Sequence, residues 1–109
     1  MKLNKNQKLW VDALRSGKYK QTNGRLHGPD GHCCLGVACE ALPGERIRDE
    51  DGHLAGGELS GQPGVYEMLS LSDAGEGYCI GFNDNDGYTF DEIADQIEQH
   101  PDKFFTEAV

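Results

Sequence analysis

Apolar residues recur at helical spacing near the amino terminus of this 109-residue chain. The positions that share one predicted helical face are Leu3, Trp10, Ala13 and Leu14. Asn4 precedes this run with Gln7 three residues later, the arrangement of a capping box, and Gly17 follows as a residue that ends helices. The pattern predicts a first helix between Asn4 and Gly17.

The last third of the chain has a second helical pattern. Its apolar stripe consists of Phe90, Ile93, Ala94 and Ile97. Thr89 is the predicted N-cap and Glu92 completes a capping box, whereas Pro101 is expected to end the helix. In the tail "DKFFTEAV", we expect the two phenylalanines to dock on the core.

Turn residues divide the middle of the chain. The Asn23-Gly24 pair in "KYKQTNGRL" is typical of a two-residue hairpin turn, and Asp51-Gly52 predicts another hairpin. Between them, "HGPDGH" predicts a further reversal of the chain.

The cysteine-rich stretch "GHCCLGVACEAL" fits either a helix or a strand, because its apolar residues recur at both spacings. We favour a helix that begins near Cys33, since Pro43-Gly44 supplies a stop. Further along, Pro63 is expected in the first turn of a short helix, "GYCIGF" predicts a short strand and "NDNDG" predicts a turn. The whole pattern predicts one α+β domain over residues 1–109, with three to four helices packed with short antiparallel hairpins.

The net charge is −9, and it is unevenly distributed. Up to His27 the chain carries seven basic residues and one acidic residue, whereas from Asp73 onward it carries ten acidic residues and one basic residue. A negative surface gains nothing from counterion release, so we expect no binding to duplex DNA or to acidic membranes. Either the basic amino-terminal element lies near the acidic last helix, with the other charges solvated, or one of these faces binds a ligand.

No apolar run approaches the roughly 20 residues that span a bilayer. The start "MKLNKNQKLW" lacks the apolar segment of a secretion signal. We therefore expect a cytoplasmic protein without a membrane partner, in which the four cysteines are thiols or ligands rather than disulfides.

The cysteines at positions 33, 34 and 39 raise the question of chemistry. Zinc sites usually present paired ligands two to four residues apart, and this spacing does not match, so we predict no metal and no other cofactor. Cys33 and Cys34 near a helix start could form a nucleophile, but no motif marks a base and no catalytic residue is assigned. The alternative is that Cys34 and Cys39 are small buried hydrophobic residues while Cys33 reaches the surface or a pocket.

Two surfaces are candidates for binding. The candidate ligand-binding residues are Lys18, Tyr19, Lys20, Arg25, Cys33 and Cys34. The candidate protein-binding residues are Asp91, Asp95 and Glu98. The basic hairpin would hold a small nucleotide by charge and stacking, whereas the acidic helix face would bind a basic protein.

Three segments resemble a group of small, uncharacterised bacteriophage and mobile-element proteins: "LWVDALRSGKYKQTNGRL", "GHCCLGVACE" and "FNDNDGYTFDEIADQIE". That group has a Cys-Cys-Leu-Gly-Val-x-Cys-Glu block and a carboxy-terminal Asn-Asp-x-Gly-x-Thr-Phe helix. The chain departs from the group in residues 56–77, where "LSGQPGVYEMLSL" replaces an expected Leu-Pro and a tryptophan.

The resemblance implies a phage setting in the cytoplasm of a host cell, and no catalytic residue comes with it. We expect a non-enzymatic accessory protein that interacts with the host, including in counter-defence, and binds a basic host or defence protein through the acidic face. The alternatives are a protein that sequesters a small nucleotide signal through the basic hairpin and a small cysteine-dependent hydrolase.

Overall fold

Six α-helices and one short antiparallel hairpin form the described part of the computed structural model, which covers residues 2–57 and 59–106. The helices are α1 (Lys5–Arg15), α2 (Cys34–Ala41), α3 (Val65–Leu69), α4 (Asp73–Ile80), α5 (Phe90–Gln99) and α6 (Pro101–Phe104). The strands are β1 (His27–Gly28) and β2 (Gly31–His32), with a 3₁₀ turn at Leu59–Gly61 and a π-helical turn at Gly81–Asn85. The fold is α+β, as predicted, but the predicted three to four helices were too few.

Helix α1 begins and ends as its sequence predicts. The side-chain oxygen of Asn4 accepts from the Gln7 backbone N–H at 2.8 Å, and Gln7 Oε1 accepts from the Asn4 N–H at 2.9 Å. Gly17 adopts the left-handed conformation, with φ of +74°, directly after the helix. The Trp10 ring is fully buried, and its indole N–H donates to the Cys34 carbonyl at 2.9 Å, which fixes α1 against α2.

The cysteine-rich stretch is helical from Cys34 to Ala41, so the strand alternative is wrong. All residues of α2 from Cys34 to Cys39 are buried. Gly36 is necessary for this packing, because a Cβ atom there would lie 1.9 Å from the Leu26 carbonyl oxygen. Glycine weakens helix propensity by about 1 kcal/mol, but here it permits a backbone contact that no other residue allows.

The hairpin of β1 and β2 turns at Pro29-Asp30, which confirms the reversal predicted at "HGPDGH", whereas the hairpin predicted at Asn23-Gly24 is wrong. His27 pairs with His32 and Gly28 with Gly31. The segment before Asn23 runs parallel to β2 instead, since the His32 N–H donates to the Lys20 carbonyl and the Thr22 N–H to the His32 carbonyl. These longer-range hydrogen bonds outweigh the local preference of Asn23-Gly24 for a hairpin turn.

The reversal predicted at Asp51-Gly52 is confirmed, but only one bridge pairs its two arms, between Arg48 and Leu54. The short helix predicted after it is also present as α3. Gly64 is its N-cap, so Pro63 precedes the helix rather than lying in its first turn.

The strand predicted at "GYCIGF" is wrong, because these residues form the end of α4 and the start of the π-helical turn. Ser72 caps α4 by accepting from the Gly75 N–H at 2.9 Å. A Cβ atom on Gly75 would lie 2.1 Å from the Phe104 carbonyl oxygen, so this glycine lets α4 lie directly on α6. The apolar run was too short to separate a buried helix from a strand.

Helix α5 has the predicted capping box of Thr89 and Glu92, and its four apolar residues are buried. Pro101 begins α6 as well as ending the helical run before it. Phe104 and Phe105 are buried, as predicted for the tail. Within the described ranges, no helix is both long enough and apolar enough to span a membrane.

Candidate functional site

A cavity of about 150 Å³ lies where four distant segments meet, and we call it the cysteine cavity. Residues on its wall include Arg25, Cys33, Cys34, Gly57, Asn83 and Asp84. Each of the three segments that carry the resemblance contributes to this wall. The cavity is therefore the place where the most distinctive parts of the sequence come together.

Asn83 organises the wall of the cysteine cavity. Its side chain is buried, and its Oδ1 accepts from the Cys34 backbone N–H at 3.2 Å and from Gln21 Nε2 at 2.9 Å. Its Nδ2 donates to the Thr22 carbonyl at 2.8 Å and to Asp84 Oδ1 at 2.9 Å. The Asn83 amide of the π-helical turn thus caps the first turn of α2 and also hydrogen-bonds to the segment before β1.

The sequence predicted only a turn at Asn83 and missed this role. Turn preference is a local signal, whereas the Cys34 N–H that Asn83 caps lies 49 positions earlier in the chain. Only the Asn-Asp pair of the resemblance pointed to this position.

Both leading cysteines line the cavity, but their thiols are protonated at neutral pH. Burial, together with the neighbouring Cys34, raises the pKa of the Cys33 thiol to about 12, although the Gly36 and Leu35 amides favour the thiolate. A hydrogen bond with the Cys79 thiol, and then burial, raises the pKa of Cys34 well above its usual value. Burial also raises the pKa of Cys39 to about 12. No hydrogen bond joins a histidine ring to a cysteine within residues 2–57 and 59–106, so none of the described cysteines is paired with a histidine base.

The basic candidate residues are divided between different depressions. Arg25 is exposed at the cysteine cavity, whereas Tyr19 lines an open groove of about 230 Å³ that also includes Asp91. Lys18 and Lys20 are exposed, with Lys18 Nζ 5.8 Å from the centre of the Tyr19 ring. Because nucleotide-sized ligands occupy pockets of roughly 300–1,000 Å³, neither depression matches a nucleotide in size.

The acidic candidates lie on the exposed face of α5, and one cation from α1 contacts two of them. Arg15 Nη2 is 2.7 Å from Asp95 Oδ1, and Arg15 Nε donates to Glu98 Oε1 at 3.1 Å. These hydrogen bonds raise the pKa of Arg15 further. The basic amino-terminal element therefore lies beside the acidic helix, as the first explanation of the charge asymmetry predicts, whereas Asp91 faces the groove with Tyr19.

A second group of polar side chains, which we call the histidine cluster, joins β1, β2, α2 and the reversal after Ile47. The His27 and His32 rings stack with centres 3.9 Å apart and planes 9° apart, and the His53 ring lies edge-on to His27 at 4.7 Å. His32 Nε2 contacts Glu40 Oε2 at 2.9 Å, and Arg48 Nη2 donates to Glu40 Oε1 at 2.5 Å.

The sequence did not predict the histidine cluster. A hairpin centred on Pro29-Asp30 makes His27 and His32 cross-strand neighbours. The reversal predicted at "HGPDGH" lies at this turn, but no pairing of its two histidines was predicted. The contact with His53 depends on tertiary packing and has no local signal.

His27, His32 and Glu40 are ligand types that suit a transition metal, and their ligand atoms lie within 4.8 Å of one another. Their geometry does not fit one. A metal ion lies near the plane of each imidazole that binds it, and two rings stacked in nearly parallel planes, with centres 3.9 Å apart, share no such position. His27 Nδ1 also accepts from the Leu54 N–H at 3.0 Å, which occupies its lone pair.

A second group of possible ligands, Asp49, Asp51 and His53, is explained by the turn itself. One Asp49 oxygen accepts the Asp51 N–H at 2.9 Å and the His53 N–H at 3.0 Å. A carboxylate used in this way closes a turn, and it needs no ion to account for its position.

The model of a domain of unknown function (DUF8296) matches residues 1–54 of the chain. The match spans α1, the hairpin and α2, and it ends before the segment that contains Asn83. No curated protein and no solved structure matches the chain. By sequence, the amino-terminal 54 residues are therefore similar to DUF8296.

Proposed function

We propose that this protein is a non-enzymatic phage accessory protein that binds a basic host or defence protein through the acidic face of α5, in the host cytoplasm. The observation that carries this proposal is the charge of that face. Four carboxylates on α5 are exposed, those of Asp91, Glu92, Asp95 and Glu98. Arg15 is the cation that contacts two of them, so the face keeps a net negative charge. The phage setting rests on the resemblance alone.

Aromatic side chains next to α5 support binding to arginine or lysine. The Phe82 and Tyr88 rings stack 4.7 Å apart, and Tyr78, which is 45% exposed, stacks on Phe82 at 6.2 Å. Tyr88 lies in the chain between Asp86 and Asp91, which are both exposed. Aromatic faces beside carboxylates attract cationic side chains through both cation–π and ion-pair interactions.

The two alternative functions have less support. A hydrolase needs an activated thiol, and the buried thiols of Cys33 and Cys34 are protonated. A nucleotide-binding protein needs its cationic residues around one pocket, and Arg25 lies apart from the groove that contains Tyr19. Binding to a protein surface requires neither feature.

The test is capture of host proteins on the immobilised full chain, compared between wild type and the triple variant Asp91→Lys, Asp95→Lys, Glu98→Lys. Captured proteins should be basic, and their apparent affinity should fall about tenfold or more in the variant and also with rising salt, because surface charge pairs are screened. The matched control is Glu45→Lys, Glu50→Lys, Glu67→Lys, which makes the same charge change at other exposed positions.

Binding that is unaffected by both salt and the α5 variant would refute the proposal. Equal weakening by the control variant would assign the effect to overall charge rather than to α5. A thermal-shift screen with cyclic and linear nucleotides tests the sequestration alternative, since a bound ligand stabilises the folded state.

A further inference from the structure

The histidine cluster fastens one segment of the chain, residues 47–55, to the hairpin. The Leu54 N–H donates to His27 Nδ1, the His53 ring lies against the His27 ring, and Arg48 reaches Glu40 of α2. Leu54 itself is fully buried, so its N–H depends on the histidine for a partner.

We propose that the histidine cluster is a proton-controlled latch, in which protonation of His27 releases residues 47–55 from β1 and β2. The step is a single proton transfer from solvent to His27 Nδ1. No covalent bond in the protein is formed or broken. The hydrogen bond between the Leu54 N–H and that nitrogen is lost.

The chemistry of imidazole explains why this contact cannot survive protonation. Neutral imidazole has one acceptor nitrogen, and in His27 the acceptor is Nδ1, because a backbone N–H points at it. In the imidazolium both nitrogens are donors, so the Leu54 N–H would face another N–H. A buried amide without an acceptor is costly, and moving the segment away restores its hydration.

The groups that surround His27 also oppose its positive charge. His32 of β2 stacks on it, and His53 and Arg48 approach from the segment. Glu40 of α2 is the negative group nearby, but His32 and Arg48 already occupy its two oxygens. The Arg25 side chain lies over the neighbouring Gly28.

Burial, followed by the charges of His32 and His53, holds the pKa of His27 below its usual 6.5. The folded protein therefore binds fewer protons than the unfolded chain in the interval below pH 6.5. The latch is fully closed above pH 6.5, and it opens as the pH falls through the lower pKa of the folded state.

Release of the segment affects the cysteine cavity, because the chain continues from Ala55 directly into the cavity wall. The Gly56 carbonyl accepts from the Leu26 N–H at 3.4 Å, and Gly57 lines the cavity. Opening of the latch loosens this wall and increases access to Cys33.

Amide hydrogen exchange of the full chain, measured by NMR at pH 7.5 and pH 5.0, tests the latch. After correction for intrinsic exchange rates, protection of the Leu54 amide should fall about tenfold or more at the lower pH, while amides of α1 and α5 keep theirs. Equal protection of Leu54 at the two pH values would overturn the proposal. Uniform loss of protection over the whole chain would also overturn it, since that is global unfolding.

Two substitutions separate the latch from general acid effects. In His27→Asn the amide oxygen can take the position of Nδ1 and accept the Leu54 N–H without titrating, so protection should become independent of pH. The control His100→Asn changes an exposed histidine at the end of α5 and should keep the wild-type response. A wild-type response in a folded His27→Asn protein would refute the latch.

A second measurement keeps the test decisive if His27→Asn does not fold. The ring signals of His27 in the wild-type protein should titrate with a midpoint below pH 6.5, and the loss of Leu54 protection should follow the same curve. Titration of His27 without any change at Leu54 would overturn the proposal.

Discussion

Two glycines inside helices mark positions where one backbone touches another. A Cβ atom on Gly36 would lie 1.9 Å from the Leu26 carbonyl oxygen, and one on Gly75 would lie 2.1 Å from that of Phe104. Both distances are far below van der Waals contact, so neither helix could keep its place with a larger residue. Helix propensity alone disfavours Gly36 in a helix, because propensity describes a residue's own backbone and not the close packing of a neighbouring backbone.

Helix α4 offers a direct test, because it contains a second glycine, Gly77, where an added Cβ atom would meet no atom of the described residues within 4 Å. We expect Gly75→Ala to lower the free energy of unfolding by about 2–3 kcal/mol through overpacking. Gly77→Ala should raise it by roughly 0.5–1 kcal/mol through helix propensity. Urea denaturation measures both, and stabilisation by Gly75→Ala would contradict the close contact with Phe104.

Capping residues were the most predictable individual positions. Asn4 with Gln7 and Thr89 with Glu92 form the expected reciprocal hydrogen bonds, because each box is complete within four residues. The role of Asn83 was not predictable in the same way, since the Cys34 N–H that its side chain caps lies 49 positions away in the sequence.

At the scale of elements, α2 depends on the π-helical turn for the capping of its first turn. Asn83→Ala would remove the acceptor for the Cys34 N–H and the donor for the Thr22 carbonyl. Leaving such groups without partners costs about 1–3 kcal/mol each, so we expect a loss of roughly 2–4 kcal/mol in the free energy of unfolding.

The matched control is Asn85→Ala, which changes an exposed asparagine of the same turn. It should alter stability by no more than about 0.5 kcal/mol. Chemical denaturation of the two variants beside wild type gives the comparison. Similar effects of both substitutions would mean that the turn tolerates the loss of the Asn83 contacts.

Elements with their own start and stop signals were predicted correctly, and elements fixed by distant partners were not. Helices α1 and α5 have caps and wide apolar stripes. The reversal predicted at "HGPDGH" is present as the hairpin of β1 and β2. The hairpin predicted at Asn23-Gly24 is absent, because residues 20–22 pair with β2. The contacts of the stacked histidine pair with Glu40 and His53 depend on tertiary packing and could not be predicted. The convergence of Cys33, Cys34 and Asn83 likewise required the packing of α2 on α4.

At the scale of the whole molecule, acid changes stability through two opposing effects. Protonation of carboxylates reduces the self-repulsion of a chain with net charge −9. It also removes specific hydrogen bonds and ion pairs. Those of Glu40 with Arg48 and His32 are the clearest case. Burial raises the pKa of Glu40, but hydrogen bonds from Arg48 and His32 lower it more, so its net pKa lies below the usual 4.5.

A carboxylate whose pKa is lowered by folding stabilises the protein above its usual pKa, and this contribution is lost as the pH falls through the folded value. Glu40→Gln should therefore be less stable than wild type at pH 7, and the difference should shrink below pH 4.5. The control Glu45→Gln, at an exposed position, should show little difference at any pH. Thermal unfolding across this pH range measures both variants. A stability difference between Glu40→Gln and wild type that does not depend on pH would contradict a lowered pKa of Glu40.

The meeting of four segments at the cysteine cavity has a consequence for how the chain could be divided. Residues 1–54 match a described domain of unknown function, but α1 packs on α5 and α2 packs on α4 across that boundary. A fragment cut at residue 54 would expose the buried side of α2 to water and lose the Asn83 cap. Because these contacts cross residue 54, we expect neither fragment to fold without the other.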